Sequence, residues 1–155
     1  MRHQTGQTSI ASRQERAAGR ILDDEGLRGD LADDEYQPFQ DWALAETDRI
    51  AASTQGVPDA KADALIDRKL TVLREIIRAA GAAIVAHAEG DAERRASALA
   101  FVGERWNAAR ACAALARRLD AQPDLTGPEI ATHIVEALES SASKSRPERR
   151  PEQRP

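Results

Sequence analysis

Two long apolar patterns of helical period, folded back on each other at Glu89-Gly90-Asp91, constrain this chain more than anything else in it. With residues set at about 100° each, the step that 3.6 residues per turn imposes, Ala62, Ile66, Leu70, Leu73, Ile77, Ala80 and Ile84 fall on one line of the first arm. Leu65, Val72, Ile76 and Ala83 fall on a second line beside it, which widens the apolar arc to nearly half the helix. The second arm repeats the pattern with Leu99, Val102, Trp106, Ala109 and Ala113, widened by Phe101, Ala108, Cys112, Leu115 and Leu119. A helix apolar over such an arc needs cover on two sides.

The boundaries of this hairpin have physical signals. Pro58 suits a helix start because a first-turn proline forgoes no needed hydrogen bond. Gly90 can take the left-handed conformation that ends a helix, and the Asp91 carboxylate can accept from the free amides of the next turn. The arms are therefore expected over 59–89 and 91–120, with a further long helix over 34–53. Pro38 is awkward inside that helix, so its regular part is expected to begin near Gln37. Thr126-Gly127-Pro128-Glu129 reads as a capping box opening a short helix to about Ser140, with Ile130, Ile134, Ala137 and Leu138 facing inward. A marginal helix is expected from Ser12. The fold class is thus all-α: an antiparallel bundle of three long helices, a short C-terminal helix and a marginal N-terminal one. The organisation read from this is a partly disordered arm over 1–30, a bundle over 31–140 and a disordered basic tail over 141–155.

Composition narrows the function classes. No run approaches the length of a membrane span, the N-terminus lacks a signal-peptide core, and the expected setting is the cytoplasm. Arginine far outnumbers lysine, which fits a GC-rich bacterial genome. The single cysteine, Cys112, excludes an internal disulfide and any multi-cysteine metal site. Neither His87 nor His133 has the Glu three residues earlier that a bundle metal site would use, so no cofactor is expected. Triad, zinc-protease, P-loop and dinucleotide patterns are all missing, and the reading leans away from an enzyme.

Charge gives the remaining clues. The formal net charge is −4, but ten acids and one Arg crowd residues 23–48, while residues 1–22 hold four Arg and one Glu. Arg13, Arg16 and Arg20 make a helical stripe, and Arg146, Arg149 and Arg150 stand in the tail. These are the candidate basic contacts to phosphates; the alternative is an ordinary solvated surface. Two charges also break the apolar pattern. Glu46 lies within the stripe of Phe39, Trp42, Ala43 and Ile50, and Arg105 lies among Phe101, Val102, Ala109 and Cys112. Isolated buried charges are costly, so Glu46 and Arg105 are expected to pair, unless each reaches solvent along its stem. The leading function is a non-enzymatic interaction or accessory protein that binds another protein or itself. The alternatives are a nucleic-acid-associated regulator or ribonucleoprotein subunit using its basic ends, and, behind it, a small-ligand or metal-dependent enzyme housed between helices.

Overall fold

A computed structural model describes residues 8–145, with side chains through Ser141. The described residues form six α-helices and no strand: α1 (Ile10–Leu22), α2 (Asp33–Ala52), α3 (Asp59–Ala88), α4 (Ala92–Arg105), α5 (Ala109–Ala121) and α6 (Gly127–Ser145), with a 3-10 turn at Glu25–Leu27. The chain is all-α. The expected third long helix is, however, two helices, α4 and α5.

The break has a specific cause. The amide of Ala108 donates to the carbonyl of Gly103 at 2.7 Å and that of Asn107 to Glu104 at 3.5 Å, the paired bonds of a Schellman ending. Asn107 occupies the left-handed position with φ of 58°, which asparagine tolerates better than most residues. The turn lays α5 directly on Gly103, where an added Cβ would stand 2.9 Å from Ala109 Cα. Only glycine fits there without displacement of the backbone. α3 ends by the same motif, with Asp91 donating to Ala86 at 2.8 Å, Gly90 donating to His87 at 3.1 Å, and Gly90 at φ 72°. Asp91 then caps α4 by accepting from the Arg94 amide at 3.0 Å.

The break also corrects the breadth of the second arm's apolar arc. Buried residues are Leu99 and Val102 on α4 and Cys112, Leu115 and Leu119 on α5, whereas Phe101, Ala109 and Ala113 are exposed. Two narrow stripes of separate helices had merged into one wide stripe when read as a single helix. On α3 the first line of residues is buried throughout, while on the second line Ile76 and Ala83 are buried and Leu65 is exposed.

Other boundaries follow their local chemistry. α2 starts at Asp33 rather than near Gln37, because Pro38 lies so close to the N-terminus that its missing N–H forgoes one bond, to the carbonyl of Asp34. Glu35 accepts from the Ala32 amide at 2.8 Å; Ala32 has no side-chain oxygen to return the bond. Thr126 and Glu129 form the expected reciprocal cap, with Thr126 N–H donating to Glu129 Oε1 at 2.8 Å. α6 runs to Ser145, beyond the expected end. α1 starts at Ile10, capped by Ser9 Oγ, which accepts from Ser12 N–H at 3.1 Å. Its Ala17 and Ile21 join Phe39, Trp42, Leu73, Ile77, Ile130 and Ile134 in one continuous core.

Candidate interaction face

The tight turn at Gly90 sets α4 against the C-terminal half of α3, and small residues on both helices leave a shallow depression between them. About 500 Å³ in extent and open to solvent, it is lined by Ala79, Ala82, Ser97, Ala98 and Phe101, with Glu75 and Arg78 at its edge. Phe101 is 36 % exposed, one of three large apolar side chains left in water among the described residues. The Arg105 guanidinium stacks over its ring, 4.7 Å from the centroid, and Arg105 Nε lies 3.3 Å from Glu75 Oε1. Such a cation–π contact holds the ring in place while leaving an edge uncovered.

This geometry separates Arg105 from Glu46. Glu46 is buried and its carboxylate is bound by the exposed guanidinium of Arg49, one turn along α2. The expected Glu46–Arg105 pair is therefore replaced by two others. Both charges do what long-stemmed residues at a core margin do, since Glu46 meets a partner that itself reaches water and Arg105 leaves the core altogether. The nearby core is closed by Trp42 and Trp106, whose rings meet edge to face at 5.2 Å. Trp106 Nε1–H donates to the carbonyl of Leu138 at 3.2 Å.

The arginine stripe of α1 is likewise occupied within the chain. Arg13 is only 1 % exposed, and its guanidinium donates to the carbonyls of Thr54 (2.8 Å) and Val57 (2.7 Å), to Thr54 Oγ1 (2.9 Å) and to Asp59 Oδ1 (2.9 Å). It holds Asp59 below the ordinary aspartate range, with further help from the amide and hydroxyl of Thr8. Arg16 faces Asp63 at 3.6 Å and Arg20 is bound to Asp67, so three arginines one turn apart meet three aspartates one turn apart on α3. Arg13 is thus taken up within the fold, whereas Arg16 and Arg20 face carboxylates while staying about half exposed. Arg146, Arg149 and Arg150 lie outside the described residues.

A polar cluster that the sequence reading missed joins α3, α4 and α5. Arg95 is buried; its Nη1 donates to His87 Nδ1 at 2.9 Å and its Nη2 binds Asp120. His87 Nε2 lies 3.1 Å from the carbonyl of Pro123, so the Nε2–H tautomer satisfies both contacts of the ring. The signal was available, for Arg95 stands at i−4 and i−7 from Leu99 and Val102, on the inward stripe of α4. Among the described residues no group of His, Cys, Asp and Glu could hold a metal ion. Burial pushes the Cys112 thiol up to about 11, far from a nucleophilic thiolate. No described helix is long and apolar enough to cross a membrane.

Compared with protein-family models, with curated proteins and with solved structures, the chain gives no match.

Proposed function

We propose that this chain is a cytoplasmic protein-interaction module whose docking face is the α3–α4 depression around Phe101. The observation that carries the reading is an aromatic side chain held at the surface by Arg105, beside a floor of alanines and within a rim of Glu75, Arg78 and Arg105. Aromatic residues and arginine are enriched at protein interfaces, and the rim around their core is polar. The depression is shallow and lies between two packed helices, which suits the ridge of a third helix laid across them. Its occupant is a helix of a protein partner, whether another protein or a second copy.

The nucleic-acid alternative now draws chiefly on the C-terminal basic residues, since Arg13, Arg16 and Arg20 face carboxylates within the fold. The enzyme alternative draws no support from the arrangement of nucleophiles or bases described above.

The test places a photocrosslinking amino acid at Phe101 in cells of the native host, with the same group at exposed Ala113 as control. One discrete adduct from position 101 and none from position 113 is expected. Sedimentation of the purified chain and of Phe101→Glu then tells a second copy from a different partner. The absence of any discrete adduct at position 101, together with an unchanged monomer at all concentrations, would refute the reading.

A further inference from the structure

The connection between α1 and α2 lies over the middle of α3, leaving a half-open cleft of about 390 Å³. Its floor is apolar, with Leu27, Leu31 and Ile77 buried and Val85 half-buried. Its rim carries three guanidiniums, of Arg28, Arg78 and Arg94, and a single carboxylate, that of Asp30. Two of the three arginines are already engaged. Arg28 Nε donates to the carbonyl of Leu31 at 2.8 Å and its Nη1 lies 2.5 Å from Asp33. Arg94 Nη1 lies 2.9 Å from Glu89 and 3.6 Å from Asp91. Arg78 has no hydrogen bond or ion pair among the described residues. Arg78 and Asp30 are therefore the two rim charges without an internal partner among the described residues, and Arg78 stands at the mouth of the apolar cleft.

Gly81 lines the same cleft. It stands in the interior of the 30-residue α3, where glycine is the poorest helix former after proline. Packing does not demand it, because an added Cβ would meet Leu31 Cγ at 3.5 Å, an ordinary contact. This contrasts with Gly103, where the backbone of α5 leaves no room. The Leu31 side chain packs over Gly81, and the two together form one wall of the cleft.

We propose that this cleft binds a small organic monoanion, an apolar body bearing one carboxylate that seats on Arg78. Taking about 30 Å³ per water-sized group, the cavity holds roughly a dozen non-hydrogen atoms. The single charge follows from the single unpaired guanidinium, and the planar carboxylate from the two parallel donors a guanidinium offers. Asp30 at the rim disfavours a dianion such as a phosphate monoester. The cleft shares Arg78 and Ala82 with the edge of the Phe101 depression, but its probes are small molecules read at Gly29 and Gly81, so the proposal does not rest on the protein-docking reading.

The experiment titrates the full ¹⁵N-labelled chain with 4-phenylbutanoate, which has the size and charge required, and with 4-phenylbutanamide, its neutral counterpart. Saturable shifts centred on the amides of Gly29 and Gly81 are expected for the carboxylate, with the amide binding about tenfold more weakly for want of a charge-assisted hydrogen bond. Arg78→Gln, at an exposed position with no internal partner, should weaken the carboxylate about tenfold and leave the amide unchanged. Gly81→Leu should block both probes, and Arg78→Gln decides the matter should Gly81→Leu unfold. Equal affinity for the two probes, indifference to Arg78→Gln, shifts centred elsewhere, or no saturation at concentrations on the order of 10 mM would each overturn the proposal.

Discussion

Replacing Arg13 by methionine gives the sharpest test of how α1 is held. The side chain is 1 % exposed and satisfies two main-chain carbonyls, those of Thr54 and Val57, at 2.8 and 2.7 Å. Methionine retains much of the stem's packing but offers no donor, so both carbonyls lose their guanidinium partner beneath α1. The Thr54 carbonyl keeps the Val57 amide at 2.9 Å, so the Val57 carbonyl is the one left without a partner; an unsatisfied buried polar group costs about 1–3 kcal/mol, which sets a loss of about 2 kcal/mol. The Asp59 contact is left out of this figure because its carboxylate is open to water. Against a total stability of about 5–15 kcal/mol the loss is large, and for a chain of this size it lowers Tm by about 4–8 °C. Urea unfolding followed by far-ultraviolet dichroism measures it directly. Arg16→Met serves as the control, since that arginine and Asp63 are both exposed and such a pair contributes under about 1 kcal/mol. A loss at Arg13 no larger than at Arg16 would refute the view that α1 is anchored by a buried guanidinium.

Three further outcomes follow from the same geometry. Because Arg13, foremost, holds the Asp59 carboxyl below its unfolded value, the resulting stabilisation is complete above the ordinary aspartate range and disappears as pH falls through the lower, folded pKa. The stability gap between the wild type and Arg13→Met should therefore narrow on acidification, as urea titrations at a series of pH values would show. Gly103→Ala should cost about 1–3 kcal/mol through overpacking against Ala109, whereas Gly81→Ala should be neutral or stabilising by up to about 1 kcal/mol; thermal melts of the two variants compare them. The Cys112 thiol, buried and raised to about 11, should react with a disulfide reagent at pH 8 only as fast as the chain unfolds, and immediate labelling would contradict its burial.

Much of the fold was legible because apolar period and cap chemistry agree along most of the chain. Ile66, Leu70, Leu73 and Ile77 are buried where the period put them, and Gly90, Asp91, Thr126 and Glu129 perform the roles their residue types imply. The division of α4 from α5 was not legible by the same means, since no glycine or proline stands at the turn itself. Its marks are Asn107 at the left-handed position and Gly103 four residues before it, and they become meaningful only as a pair. The charged residues were harder still. A stripe of arginines looks the same whether it faces phosphates or a stripe of aspartates spaced alike on another helix, and only the packing of α1 beside α3 distinguishes them. The α3–α4 face was not visible, because reading α4 and α5 as one helix counted Phe101 among the core residues. Once the helix is divided, Phe101 comes to the outside.

The Arg13 anchor also bears on synthesis at the ribosome. Its acceptor Asp59 lies 46 positions further along the chain. At about 5–20 residues per second, that separation takes roughly 2–9 s to translate. Over that interval the α2 residues that cover the apolar face of α1 are made first, and the acceptors of its guanidinium last. α1 can thus pack on α2 before its guanidinium is anchored, and both steps come before α4, α5 and α6 are made.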